Sequence, residues 1–349
     1  MFFALYDRFF KTIGKTYILE SWSRTQRAVD FDELNIVGEQ IPYSADPFFV
    51  VVNDKQGKMM FSGLASTPVI DEKTKKTSIA LKDYTTLFNT EIIVDWSKFS
   101  GTTVGEYIEF ILSTWLNQTD VGFATIKWDA SPLKTISLDK EIEFGEGVEN
   151  IFLYTLVLDV FRYYETYCDC KLDIFNKTLT YYFKKSSTNK RSVRLKDFGI
   201  YSIEKSFGDY NRSTVYNSNF EKKQEWALTE DNNVVKLPTQ KNIIYPAKNR
   251  NFIAEEPRED LTEMQAINDA VYDAVMSLAG NRFQENIDFD AQRYKSILDL
   301  TGLDFSYSLS VYTEDGYYKD LPVGEIETDS KGKHIVRIGY RVQELTQEL

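Results

Sequence analysis

Histidine and cysteine are scarce in this sequence: His334 is the only histidine, and Cys168 and Cys170 are the only cysteines among 349 residues. A structural zinc site takes about four nitrogen or sulfur ligands, and a Ser-His-Asp or Cys-His arrangement would have to use this one histidine. The alternating run around His334 instead predicts a solvent-facing strand position. Side chains two residues apart on a strand share a face and rarely form a disulfide, so free or buried thiols are predicted.

Phosphate-binding loops and long apolar runs are also missing. Neither G-x-x-x-x-G-K-[ST] nor G-x-G-x-x-G occurs, which disfavours the nucleotide-binding folds that use them. The longest apolar stretch, 151–160, is far shorter than the roughly 20 residues that a membrane span needs. The N-terminal segment carries Asp7, Arg8 and Lys11 within its apolar run, unlike a signal peptide. We therefore expect no export and no stable membrane insertion.

An excess of positive charge is lacking as well. The chain has 41 Lys and Arg against 53 Asp and Glu, a formal net charge of −12. Affinity for nucleic acid comes mostly from cationic groups that displace counterions from phosphates, so this chain should not bind DNA specifically. An acidic wall could still line a passage through which DNA slides without adhering, because like charges repel.

No catalytic, cofactor-binding or metal-ligating residue is predicted, and no cofactor is expected. The acidic stretches 230–233 and 288–290 offer oxygen atoms, but neither follows a calcium-loop pattern. Glycoside hydrolysis needs only two carboxylates at a suitable separation. With so many acidic residues, the sequence neither identifies such a pair nor excludes one.

Aromatic residues are abundant instead, with 24 Phe and 22 Tyr, and they favour strands and interfaces. Residues 1–95 show consecutive hairpins with no helix between them, which predicts an antiparallel barrel or sandwich. Residues 96–190 mix helix and strand, 191–245 return to strands and a polar loop, 246–302 begin with a helix, and 303–349 are strands again. The fold class predicted is α+β, β-rich and multi-domain.

Three helices are predicted within this pattern. The first begins at Thr103, which forms a capping box with Glu106, and carries one apolar stripe. The second covers 145–170 and is apolar nearly all round, so we expect it to be buried. The third has Asp260 and Glu263 in its first turn and ends at Gly280.

The order of these parts resembles that of the baseplate hub proteins of tailed phages, including the N-terminal hub module of tail-associated lysins. The motifs that carry the resemblance are F-S-G at 61–63, L-K-D-Y-x-x-L-F at 81–88, T-V-G-E-Y-I-E-F-I-L at 103–112, G-x-x-x-x-L-P-V-G-E-I-E at 316–327 and R-I-G-Y-R at 337–341.

The resemblance implies two antiparallel β-barrel-like domains plus two smaller helix-containing domains. The first barrel ring domain would be 1–95, completed by part of 191–245, and the second would be 303–349. An inserted α+β domain at 96–190 and a helical or α+β domain at 246–302 would lie outward. Many tail-associated lysins continue into a peptidase or fibre. This sequence reaches "RVQELTQEL" where the hub would end, so no cell-wall-degrading domain is expected.

The function implied is that of a structural virion protein at the tail tip, made in the host cytoplasm, and not of an enzyme. Three copies would form a homotrimeric ring that adapts a hexameric tail or distal tail protein to threefold symmetry and closes or extends the tail channel. Its partners would be that distal tail protein hexamer, the tape-measure protein and receptor-binding proteins, with roles in host attachment and genome ejection. DNA would pass without specific binding.

Two alternatives belong to other functional classes. One is a glycan-binding adhesin of the tail tip that uses Trp96, Trp115, Trp128 and Trp226 as stacking platforms, although the apolar helix stripe predicts a core position for Trp115. The other is a carboxylate-based hydrolase of cell-wall polysaccharide. Affinity for host saccharides would favour the adhesin, turnover of wall polymer would favour the hydrolase, and a trimeric mass would favour the hub.

Overall fold

The computed structural model describes residues 2–339, apart from residues 8, 17–18, 29, 40, 42–48, 55–58, 66–67, 120, 122–123, 141–144, 146, 198–200, 207–208, 231–232, 260, 281–283, 296–297 and 314–315. The α-helices within this part are α1 (Val104–Gln118), α2 (Leu153–Tyr164) and α3 (Glu263–Gly280). The strands are β1 (Phe2–Tyr6), β2 (Thr12–Thr16), β3 (Ser21–Arg27), β4 (Glu33–Glu39), β5 (Phe49–Asn53), β6 (Met59–Ala65), β7 (Val69–Asp71), β8 (Lys76–Lys82), β9 (Glu91–Asp95), β10 (Thr125–Asp129), β11 (Val148–Phe152), β12 (Thr166–Asp173), β13 (Thr178–Lys185), β14 (Asn189–Arg194), β15 (Tyr201–Ser206), β16 (Arg212–Tyr216), β17 (Lys222–Leu228), β18 (Val234–Lys236), β19 (Asn249–Ile253), β20 (Gln284–Asp290), β21 (Tyr307–Thr313), β22 (Gly316–Asp329) and β23 (His334–Ile338).

Strands dominate the chain, with 48% of residues against 21% in helices, which confirms a β-rich α+β protein. Fourteen strands form one sheet in the order β15-β20-β23-β22-β3-β4-β8-β6-β5-β1-β2, with β21 beside β22, β14 beside β21 and β7 beside β8. The smaller sheets are β10-β13-β12, β11-β9 and β18-β17-β16-β19. The hairpins β5–β6 and β7–β8 lie within the first block of the sequence, as predicted.

The large sheet has two halves. Strands β1 to β8 make up the first β unit, and strands β14, β15 and β20 to β23 make up the second β unit. Antiparallel pairing of β22 with β3 joins them, with Glu325 opposite Arg27. Among the described residues, the pairing does not close either unit into a barrel.

Strand pairing in the 191–245 region differs from the expectation that part of it completes the first β unit. Strand β14 pairs with β21 and β15 pairs with β20, so both belong to the second β unit. Strands β16 to β19 form the separate four-stranded sheet, against which α3 packs.

The first helix follows its sequence signals. Thr103 Oγ1 accepts a hydrogen bond from the Glu106 backbone amide at 3.3 Å, and the Glu106 carboxylate accepts one from the Thr103 amide at 3.0 Å. This is the predicted capping box, and the apolar stripe of α1 is buried. The third helix has Glu263 in its first turn and ends at Gly280, as predicted. Asp260 lies outside the described residues.

The second helix is shorter than predicted, and the prediction of helix over 145–170 is wrong at both ends. Residues before Leu153 pair with β9 as β11, and residues after Glu165 pair with β13 as β12. Glu165 has a φ of 52° and ends the helix in a left-handed turn. Pairing with the distant β9 at one end and with the adjacent β13 at the other therefore overrides the apolar character of the segment.

The largest core cluster brings together all three helices and the β12–β13 hairpin. The short 3₁₀ turn after β8 inserts Phe88 into this core, where its ring lies 4.7 Å from the ring of Tyr181 and 5.5 Å, edge-on, from that of Trp115. The Tyr181 hydroxyl donates to the Tyr84 carbonyl at 2.7 Å. These aromatic contacts hold the first β unit against α1 and the β12–β13 hairpin.

Two glycines of the phage-like motifs stand where backbone segments approach too closely for a side chain. A Cβ atom at Gly63 would lie 2.3 Å from the carbonyl oxygen of Lys82, and one at Gly324 would lie 2.6 Å from that of Gly339. The F-S-G and G-E-I-E motifs therefore have a packing role at strand contacts.

A buried ion cluster lies at the junction of the two β units. Glu325 is 3% exposed, and one of its carboxylate oxygens lies 3.5 Å from Arg27 Nε. Its other oxygen contacts the guanidinium of Arg337, whose Nε also donates to Asp288 at 3.0 Å. Because two cations share one buried carboxylate, loss of that carboxylate would leave both of them undercompensated.

We expect Glu325→Gln to lower the free energy of unfolding by about 1.5–3 kcal/mol, because a neutral amide replaces a buried carboxylate that two guanidinium groups contact, although Arg27 keeps Glu33 and Arg337 keeps Asp288 as counter-charges. Urea titration followed by circular dichroism measures this change. Glu327→Gln is the control within the same ion cluster, because Glu327 lies on the same face of β22 and pairs with Arg337 at 3.8 Å but is 24% exposed. It should cost less than about 1 kcal/mol. Equal losses in the two variants would contradict a special role for Glu325.

Gly63→Ala should destabilise the protein by about 1–3 kcal/mol, because the new methyl group must displace the backbone of β8. Gly302→Ala serves as the control, since a Cβ there meets nothing within 4 Å. Thermal melting of both variants measures the difference. Unchanged melting of Gly63→Ala would show that the two strands can separate without cost.

Candidate functional site

A cleft of about 670 Å³ lies between the first β unit and the β12–β13 hairpin, and we call it the central cleft. Its lining comes from four strands, from the β3–β4 connection and from the residue that follows β8. The lining residues are Arg24 and Gln26 of β3, Asp32, Met59–Ser62 of β6, Asp83, Cys168–Lys171 of β12, and Tyr182 and Lys184 of β13.

Two carboxyl groups lie side by side at this cleft. Asp83 follows β8 and caps the 3₁₀ turn, with Oδ1 accepting from the Thr85 amide at 2.9 Å. Its Oδ2 accepts from the Asp32 amide at 3.1 Å. Asp32 in turn accepts from Arg24 Nη2 at 3.1 Å and from the Arg27 amide at 3.0 Å. All four carboxyl oxygens are thus engaged in bonds that hold turns and strands together.

Both carboxyl groups hold protons more tightly than exposed carboxyl groups do. Burial, reinforced by the negative charge of Asp32, raises the pKa of Asp83 to about 7. Burial also raises the pKa of Asp32, although the nearby Arg24 guanidinium opposes this. Strongly perturbed carboxyls in a cleft are candidates for acid–base chemistry. Here, however, the bonds to Thr85, Arg24 and two backbone amides give the pair a structural role.

The thiols at the cleft are unsuited to nucleophilic chemistry. Cys168 and Cys170 are both free, as predicted. Burial raises the pKa of each thiol, whereas a reactive cysteine needs a lowered pKa to form its thiolate. His334 lies on β23, far along the chain, and is half-buried, so the prediction of a solvent-facing position is wrong. Burial lowers the pKa of its imidazole.

Three of the four tryptophans considered as glycan platforms are interior residues. Trp96 is 6% exposed, Trp115 is 1% exposed and Trp226 is 2% exposed. The indole of Trp96 also donates to Glu149 at 2.8 Å. The core position predicted for Trp115 is confirmed. Trp128 is half-buried. Stacking of a sugar on the three buried rings is therefore excluded in this conformation.

The remaining acidic stretches are engaged or fall partly outside the described residues. Asp288 accepts from Arg337, and residues 231–232 of the other stretch are not described. Among the described residues, no group of three or more His, Cys, Asp or Glu side chains could hold a metal ion. No described helix has the length and apolarity to cross a membrane.

The sequence motifs pointed to one part of the cleft and missed the rest. Asp83 belongs to the L-K-D-Y motif, but Arg24 and Asp32 carried no signal of their own. Asp32 meets Asp83 through a hydrogen bond between residues 51 positions apart. A search for acidic residues in short turns that precede strands would have found Asp32 as a candidate, along with many exposed acids.

The raised pKa values predict that this pair makes stability fall as pH rises from about 4 to about 7. The folded state keeps protons that the unfolded carboxyls, with pKa values near 3.9, have already released. Urea midpoints measured across this range should fall less steeply for Asp83→Asn than for the unaltered chain. Asp71→Asn is the control: Asp71 is exposed and the hydrogen bonds of Thr74 lower its pKa. If the urea midpoint of Asp83→Asn fell with pH as steeply as that of the unaltered chain, the raised pKa of Asp83 would be contradicted.

Comparison with known proteins links this fold to phage tails. No protein-family model matches the sequence, and no curated protein matches it significantly. The 43 kDa tail protein of prophage MuSo2 from Shewanella oneidensis is similar in structure, with a TM-score of 0.56, 12% identity and 97% of each chain covered. The prophage tail protein gp18 from Listeria monocytogenes EGD-e has a TM-score of 0.53 and 12% identity, with 98% of this chain and 95% of that chain covered.

A third similar structure is the p2 virion baseplate in its activated conformation, with a TM-score of 0.49 and 9% identity. The two tail proteins match this chain over nearly its whole length, so the likeness extends to the order and arrangement of all its parts. The chain therefore has the fold of these prophage tail proteins.

Proposed function

We propose that the chain is a structural component of a phage tail. One observation carries this proposal: the chain and the MuSo2 tail protein superpose over 97% of both lengths. The phage-like motifs support it, because their residues lie at the contacts that define the fold. Gly63 and Gly324 permit close strand contacts, while Glu325 joins the two β units through its contact with Arg27.

The finer proposal is a homotrimeric hub at the tail tip. One chain carries two β units joined edge to edge by β22 and β3. Three chains would therefore present six β units, which suits docking on a hexameric distal tail protein. In this arrangement the ring contains the first β unit, within 1–95, and the second β unit, which consists of 303–349 together with β14, β15 and β20. The remaining parts of 96–190 and 246–302 face outward. The hub would close or extend the tail channel, contact the tape-measure protein and anchor receptor-binding proteins.

A net charge of −12 supports the passage of DNA without specific binding, since like charges repel. The role is structural rather than enzymatic, because hydrogen bonds within the fold already use the oxygens of the Asp32–Asp83 pair. The adhesin alternative loses its support with the burial of Trp96, Trp115 and Trp226.

We expect antibody fragments against the chain to label one end of the tail, distal to the capsid, in negative-stain images of particles that encode it. Non-immune fragments are the control. A complex released from those tails should have three times the 40.5 kDa mass of the chain. Complete absence of the chain from purified particles would overturn the structural role. Its presence there as a monomer or hexamer would overturn only the trimeric hub.

A further inference from the structure

Strand β12 exposes a free edge to the central cleft. Its pairing partner is β13, and among the described residues no strand pairs with its other side. Four consecutive residues, Cys168–Lys171, line the cleft. Neighbouring residues of a strand point to opposite faces, so a lining of consecutive residues means that the edge itself borders the cleft.

Strand β6 exposes a second free edge to the same cleft. On one side β6 pairs with β5 from Met59 to Leu64. On the other side, the described part of the chain pairs it with β8 through Leu64 and Ala65 alone. Met59–Ser62 are again consecutive lining residues. The Met60 carbonyl accepts a hydrogen bond from Arg24 Nη1 at 3.0 Å, so a side chain takes part of the place of a neighbouring strand.

We propose that the central cleft binds an extended, acidic segment of a partner polypeptide, which adds a strand along the free edges of β6 and β12. Unpaired edges are templates for such addition, in which the main chain supplies affinity and alternate side chains supply specificity. Four residues of a strand extend about 13 Å at roughly 3.3 Å per residue. The cleft volume of about 670 Å³ lies within the range of roughly 300–1,000 Å³ that is usual for ligand sites.

The charges of the lining select an acidic partner. Arg24 is paired with Asp32, and Lys184 is paired with Asp169. Lys171 is exposed and makes no ion pair within 4 Å among the described residues, although its charge contributes to lowering the pKa of the nearby Asp173. The remaining acid, Asp83, holds its proton up to about pH 7. Below that pH the cleft therefore carries a local excess of positive charge in a chain whose net charge is −12.

The cleft also offers apolar surface, against which every second side chain of the partner segment can pack. Met59, Met60 and Phe61 line one wall, and methionine adapts its shape to varied partners. Tyr182 lies on the opposite wall, on the same face of the hairpin as Lys184. A segment that alternates carboxylate and aliphatic side chains matches both walls. This inference is independent of the tail-hub proposal, because it rests on strand edges and charges alone.

The probe is a synthetic heptapeptide of alternating valine and glutamate at pH 6.5. It should slow amide hydrogen exchange in both Met59–Ser62 and Cys168–Lys171. Two versions N-methylated on alternate residues, one for each edge, should each lose this effect, since a strand between two edges needs both sets of its amides.

Protein variants test the charge argument. Lys171→Glu should weaken binding of the glutamate peptide by about tenfold or more, which corresponds to about 1.4 kcal/mol. Lys185→Glu is the matched control, because Lys185 is equally exposed but does not line the cleft. It should leave the affinity within about twofold.

Four outcomes would overturn the proposal. The glutamate peptide could protect neither edge. The N-methylated versions could protect as well as their parent. A valine–lysine peptide could bind equally tightly, which would remove the acidic preference. Protection that grows with protein concentration in the absence of peptide would assign the edges to a second copy of this chain.

Discussion

The register in which the two β units of the large sheet pair depends on the carboxylate of Glu325. It lies at the pairing of β22 with β3, where the two β units meet. Arg27 reaches it from one strand and Arg337 from another. An ion cluster of this kind adds little net stability compared with a well-packed apolar contact. What it contributes is selectivity: only one register places both guanidinium groups on the same buried carboxylate, and a one-residue slip would turn Glu325 to the opposite face.

The 3₁₀ turn after β8 packs the first β unit against the helices. Asp83 holds the start of the turn and Phe88 anchors its end in the aromatic core. The same carboxyl lies at the central cleft beside Asp32. Bonds that build the fold therefore also fix the electrostatics of the cleft, because a carboxyl held among protein atoms keeps its proton into the neutral range.

Local signals made part of this structure predictable. The capping box of Thr103 and Glu106 and the apolar stripe behind it place α1 within a few residues. Hairpins such as β5–β6 follow from a continuous β-branched and aromatic run and a polar turn. The start of the second helix could not be predicted in this way, because Val148–Phe152 form a strand by pairing with β9, far upstream. The junction at Glu325 and the meeting of Asp32 with Asp83 are likewise tertiary contacts without a local sequence pattern. Burial of Trp96 and Trp226 also depends on tertiary contacts, so the local sequence did not predict it.

Pairing of β22 with β3 has a consequence for biosynthesis. Arg27 leaves the ribosome about 300 residues before Glu325 does, so β3 is made long before its neighbour β22. At about 5–20 residues per second, strand β3 waits on the order of tens of seconds for its neighbour. During that interval its edge is open to other nascent chains on the same message. Arg24 and Arg27 of β3, with their partners Asp32 and Glu33, place charged side chains along this strand, and charged side chains on an open edge disfavour pairing with another chain.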